Sequence, residues 1–197
     1  MAGRPPQPLS PARSRVAPQG RGVARLDSKR GSFVSSAIDE LVRNAIVSES
    51  DFEGPRAVIP TKHVAIVTCM DSRIDSFRIF GLESGEAHIL RNAGGLVTED
   101  MLRSLVLSQR LLQTREIVLM HHTNCGLHGT DEPALRAQIA SETGQVPPYA
   151  FGAFLDIDEA VRSGIARTRE HPFLPHRDNV RGFVYEVERG HLREVVV

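Results

Sequence analysis

The sequence predicts an open, mostly parallel β-sheet flanked by helices, an α/β fold of about four parallel strands closed by an antiparallel C-terminal strand. Three observations carry that reading. Short apolar, β-branched runs of strand length recur at residues 63–69 (HVAIVTC), 87–90 and 116–120 (EIVLM). Stretches with apolar residues at helical spacing separate them. The chain has 197 residues, 41% hydrophobic and 24% charged, which suits one well-cored globular domain and is short for two.

Taken in order, residues 1–31 are rich in Pro, Arg, Gly and Ser. They hold too few apolar groups to offset the entropy of ordering, so a disordered tail is expected there. Its five prolines argue against the amphipathic helix of an organellar leader. From residue 36 the pattern turns helical, with Ile38, Leu41, Val42, Ala45 and Ile46 on one stripe, until Gly54 and Pro55 end it. The run at 63–69 predicts a strand buried on both faces, and residues 74–80 a helix closed by Gly81. A strand at 87–90 follows, then a helix from Thr98 or Glu99 through Leu112, then the strand at 116–120. Helices near 132–142 and 156–170 precede a strand at 180–187, a turn at 188–190 and a closing strand at 192–197. Residues 32–197 thus form a single domain behind a tail of residues 1–31, with no internal repeat.

The formal net charge is zero, but seven cations against Asp27 give residues 1–30 an excess of six, leaving the remainder acidic by six. A nucleic-acid binder carries its basic charge on the folded domain, so that class is disfavoured. No apolar run is long enough for a membrane span, and no secretory core stands at the amino terminus. The expected setting is therefore a reducing cytoplasm. There a disulfide between the two cysteines, Cys69 and Cys125, is disfavoured, and metal ligation is the better reading.

Two short motifs carry the chemistry: Cys69-Met70-Asp71-Ser72-Arg73 and His122-Thr123-Asn124-Cys125-Gly126. Cys69 ends the first strand and His122 follows the third, and in open α/β sheets such strand ends meet at the ligand site. Two thiolates and an imidazole suit zinc, and three protein ligands leave a fourth position for water, the mark of a catalytic site. A cation beside Asp71 favours its ionised form, which can only accept a hydrogen bond. His121 and His128 are more simply read as a structural and a loop histidine.

These motifs resemble those of the β-class carbonic anhydrases, whose signature C-x-D-S-R followed by H-x-x-C-G stands here complete. Gly85-Glu86 and Arg91-Asn92-Ala93-Gly94 between them are similar to the family as well, and the resemblance covers residues 36–197. It implies that Cys69, His122 and Cys125 ligate zinc, and that Asp71 and Arg73 form a catalytic dyad. With Arg73 holding its carboxylate, Asp71 would orient the metal's hydroxide toward carbon dioxide. In a closed state it would itself take the fourth metal position. Zinc lowers the pKa of its water from 15.7 toward ~7, two thiolates lower it less than three histidines, and activity rising above neutral pH is expected. The resemblance further implies reversible conversion of carbon dioxide to bicarbonate by a homodimer or tetramer.

The chain departs from the plant-like members at three pocket positions. Pro60 stands where they carry Gln, His88 where they carry Phe, and Leu107 near their Tyr. With Ala93 and Gly94, His88 and Leu107 are the expected pocket lining. The chain has no Trp, which the branch with a regulatory bicarbonate site uses. Two other functions fit the same ligands: hydrolysis of carbonyl sulfide or carbon disulfide, and a non-enzymatic zinc protein closed by Asp71.

Overall fold

A computed structural model of the protein describes residues 36–197, and the tail read over residues 1–31 lies outside them. Helix α1 (Ala37–Ser48) starts at a reciprocal cap. Ser36 Oγ accepts from the Asp39 N–H (3.1 Å) and Asp39 Oδ2 from the Ser36 N–H (3.0 Å). A 3-10 turn, Glu49–Asp51, follows. The two belong to a unit that ends at Glu53, and Gly54–Val197 forms a second compact unit.

The second unit is built on five strands: β1 (Val64–Cys69), β2 (Ala87–Asn92), β3 (Glu116–His122), β4 (Val180–Glu186) and β5 (His191–Val195). They lie in the order β2-β1-β3-β4-β5. The first four are mutually parallel, and β5 runs antiparallel to β4. Four helices alternate with them: α2 (Ser76–Phe80), α3 (Glu99–Arg110), α4 (Glu132–Thr143) and α5 (Ile157–Glu170). The chain leaves β1 toward β2 on one side and continues with β3 on the other. The strand order therefore reverses between β1 and β3, and in open α/β sheets ligands bind at the carboxyl ends of the strands flanking such a point.

The expected fold class holds, and the differences lie at element ends. Helix α2 begins two residues later than the apolar pattern suggests. Ile74 is buried in a turn whose N–H bonds the Asp71 carbonyl (3.0 Å), and Asp75 then caps the helix. Strands β2 and β3 run two residues further than their apolar runs, because Arg91, Asn92, His121 and His122 also pair in the ladder. The closing strand stops at Val195. Thr98, Asp131 and Asp156 cap α3, α4 and α5.

One core lies between the sheet and helices α3 and α5. Ala65, Val67, Ile117, Leu119, Val184 and Val195 of the strands meet Leu102 and Leu105 of α3 and Val161 and Ile165 of α5. Burial of each larger side chain contributes about 2 kcal/mol. This packing makes the two central strands a rigid base for whatever their ends carry. No described helix is long and apolar enough to cross a membrane.

Candidate metal centre

The ends of β1 and β3 bring three donors together. Cys69 Sγ, Cys125 Sγ and a ring nitrogen of His122 all lie within 4.8 Å of one another, and all three residues are buried. Cys69 is the last residue of β1, and His122 the last of β3. Cys125 arrives on a tight loop in which Asn124 takes a left-handed conformation (φ 54°) that asparagine tolerates. The His122 ring is oriented by its neighbour. Nδ1 lies 2.8 Å from the Thr123 carbonyl, which can only accept, so Nδ1 carries the proton and Nε2 presents a lone pair. Nε2 is buried with no hydrogen-bond partner. Burial pushes the Cys125 thiol up. Two buried sulfurs and an orphaned imidazole lone pair at one point fit a thiophilic cation of tetrahedral preference.

Asp71 and Arg73 stand beside this cluster. Asp71 Oδ1 accepts from the Arg73 backbone N–H and from Nε (both 2.9 Å), and Oδ2 accepts from Nη2 (2.7 Å). The same Nη2 donates to the Asn124 carbonyl (2.9 Å), tying the two motif loops together. These bonds from Arg73 hold the Asp71 carboxyl far below the ordinary carboxylate range. Its Oδ2 nevertheless lies 3.8 Å from His122 Nε2, one of the three donors.

The residues expected from the sequence to line a substrate pocket separate into two groups. Ala93 and Gly94 lie in a 3-10 turn directly after Asn92, whose ladder partner is Cys69. Beside them Gly95, at φ 69°, lies so close to β1 that an added Cβ would sit 3.0 Å from the Cys69 nitrogen. His88 and Leu107 are elsewhere. His88 precedes Asn92 by four residues, about 13 Å along the strand, and lines a groove of about 380 Å³ with Leu107 between the β2 edge and α3. Within one chain they do not meet the donors. Burial lowers the His88 pKa, and its Nδ1 lies 2.8 Å from Ser108 Oγ, which in turn lies 2.7 Å from Thr114 Oγ1. Pro60 is buried, its carbonyl accepting from the His63 N–H.

Other side chains hold the site in ways that the two motifs do not indicate. Arg91 donates to the carbonyls of Cys69 (2.9 Å) and Asp71 (2.6 Å) and so braces the first motif from β2. Glu188, in the β4–β5 turn, accepts from the Thr123 hydroxyl (2.6 Å) and braces the second. His121 is buried, as a structural residue would be, and burial pushes its pKa down to about 4. Only the Arg91-Asn92 dipeptide hinted at any of this. A cleft of about 490 Å³ lined by Arg73, Arg78, Tyr185 and Leu192 opens next to the dyad.

A doubly wound sheet presenting two thiols and an imidazole at its switch point defines an α/β protein with a Cys-His-Cys donor cluster of the kind that suits a metal ion. Comparison with known proteins narrows the class. Residues 64–149 match the carbonic anhydrase family model. The chain is 44% identical to β-carbonic anhydrase 1 of Mycobacterium tuberculosis over 80% of its length and 96% of that protein. It is 35% identical to a carbon disulfide hydrolase of Acidianus sp., covering 66% of this chain and 75% of that one. The solved carbonic anhydrase of Streptococcus mutans superposes with a TM-score of 0.78 at 38% identity, over 83% of this chain and all of that one. The chain belongs to the β-carbonic anhydrase family of enzymes.

Proposed function

We propose that this protein binds one zinc ion through Cys69, His122 and Cys125 and reversibly hydrates carbon dioxide to bicarbonate and a proton. The observation that carries the proposal is the convergence of three buried donors, with the His122 Nε2 lone pair left without a partner. When bound, zinc supplies an acidified water as the nucleophile and leaves a coordination position open to it. Asp71, kept ionised by Arg73, accepts that water's proton in a hydrogen bond and so aims its lone pair at the substrate carbon. Arg73 holds the Asp71 carboxylate to one side of the three donors; released, Asp71 could turn toward a bound metal and close the site. Ala93 and Gly94 bound the substrate pocket on the β1–β2 side. The enzyme works as a homodimer or tetramer, and His88 and Leu107 face a partner rather than their own metal. A reducing cytoplasm suits it, because both cysteines must remain thiols to serve as ligands.

Kinship with carbon disulfide hydrolases favours a second reading, in which the same site hydrolyses carbon disulfide or carbonyl sulfide. Those substrates are also small, linear and apolar, so the ligand set does not discriminate. Stopped-flow carbon dioxide hydration on zinc-loaded protein, with both sulfur compounds run in parallel, decides. Rapid bicarbonate formation with negligible sulfide release is expected, and the reverse pattern transfers the chain to the second reading. Metal analysis tests the ligands independently. One zinc per chain is expected, and Cys125→Ala is expected to lose most of it, since one of three anchors is gone. Full occupancy in that variant would remove Cys125 from the ligand set.

A further inference from the structure

The geometry points to Phe154 and Glu132 as positioning residues for the second metal motif: together they brace the His122–Cys125 loop and set how firmly the metal is retained. The inference rests on the metal-ligand reading above. Between β3 and α5 the chain makes a long excursion, and its helix α4 buries none of its residues. What α4 does instead is hold the segment that follows it. The Glu132 carboxylate accepts from three successive backbone N–H groups, Phe151 (2.9 Å), Gly152 (2.9 Å) and Ala153 (3.1 Å), and these bonds hold its carboxyl below the ordinary range. One turn further on, Arg136 donates to the carbonyls of Tyr149 and Pro147. Five backbone groups of one strap are thus satisfied by two side chains of one helix.

The strap ends at the site. Phe154 forms an isolated backbone bridge to His128, its N–H donating to the Leu127 carbonyl (3.2 Å) and its carbonyl accepting from Gly129 (2.9 Å). Its ring stacks on His128 (centroids 5.6 Å, 14° between planes) and tilts against His121 (5.6 Å). His121 immediately precedes the ligand His122. The His128 N–H bonds the carbonyl of the ligand Cys125 (3.0 Å). One aromatic ring therefore touches the residue before one ligand and the residue that closes the turn of the other. Gly152, at φ 81°, lets the strap lie against Leu96, where an added Cβ would come within 2.4 Å of Cδ1. The strap is wedged between the β2–α3 turn and the ligand loop, so the loop cannot open, and a ligand cannot leave, without displacing it. Groups that orient ligands without touching the metal change affinity by about 10- to 100-fold when removed.

The test follows zinc transfer from the holoprotein to a chromophoric chelator, with the visible spectrum of the cobalt-loaded protein as a report on ligand geometry. Phe154→Ala and Glu132→Ala are expected to release zinc at least about tenfold faster than the parent and to alter the cobalt bands. Phe154→Tyr, which keeps the ring, and Ile117→Val, a core change at the opposite end of β3, are expected to match the parent. Should Phe154→Ala fail to fold, Glu132→Ala carries the test. Parent-like release and an unchanged cobalt spectrum in the alanine variants overturn the bracing role alone. A parent that takes up neither metal overturns the ligand reading beneath it.

Discussion

The Asp71 carboxylate receives its three hydrogen bonds from Arg73, while its other near neighbour, the His122 lone pair, lies 3.8 Å away. That one-sided support makes the dyad separable from the ligands. Asp71→Asn and Arg73→Ala are expected to keep zinc yet lower carbon dioxide hydration by at least about tenfold, the scale of one lost orienting interaction. Zinc content and stopped-flow rates on the same preparations check this, and a parent rate in either variant would make the dyad structural. The five residues proposed for this centre stand out in the sequence because each motif compresses its chemistry into five consecutive positions, and the structure brings the three donors within 4.8 Å of one another. Their supports do not stand out. Arg91 reaches Cys69 and Asp71 from the neighbouring strand, and Phe154 reaches His121 and His128 from beyond α4. Such contacts depend on which strands neighbour one another and on loop trajectories that no local spacing encodes. His88 illustrates the converse: its place follows from the register of β2, which sets it four residues along the strand from Asn92, the ladder partner of Cys69.

Each strand–helix alternation was legible because period and turn residues agreed, and errors concentrated where polar residues extend a strand. The β2 ladder runs on through Arg91 and Asn92 because their partners Thr68 and Cys69 need the hydrogen bonds, whatever the side chains' polarity. Helix α4 stands where the sequence places it, near residues 132–142, but nothing in the pattern indicates that none of its residues is buried. Packing between elements offers a test of its own. Arg193 on β5 donates twice to Asp158 in the first turn of α5, once at 3.0 Å, and this bond holds the Asp158 carboxyl below its ordinary 3.8. A carboxyl lowered in the folded state adds stability above its unfolded pKa, and that contribution is lost as pH falls through the folded value. Asp158→Asn is therefore expected to be less stable than the parent by about 1 kcal/mol at pH 7, the upper range for a partly exposed pair. The gap should narrow below about pH 4 as the parent carboxyl protonates. Urea unfolding of both proteins at the two pH values measures it, and a gap independent of pH would assign the effect to packing instead of charge.

At the scale of the whole molecule, the unmet demand is apolar surface. On α1 the stripe Ile38, Leu41, Val42, Ile46 is exposed throughout, from 53% at Val42 to 72% at Ile38, and none of the helix is buried. A capped amphipathic helix of twelve residues gains little from its own hydrogen bonds in water, so its apolar face must find cover to be worth forming. The β2–α3 groove that holds His88 and Leu107 likewise lies along an edge strand, and Leu107 is itself exposed. An isologous dimer, in which each subunit's α1 packs on its partner, would cover such faces twice with one contact. Residues 1–31, too poor in apolar groups to add to it, are expected to be dispensable: deleting them leaves zinc content, oligomer mass and hydration rate unchanged. Deleting through residue 48 removes α1 and is expected to yield monomer or aggregate with loss of activity, because the uncovered surface loses its partner. Light scattering and the hydration assay on both truncations give the result. A soluble, fully active monomer after the longer deletion would show that α1 holds no subunits together and that each metal centre works without its neighbour.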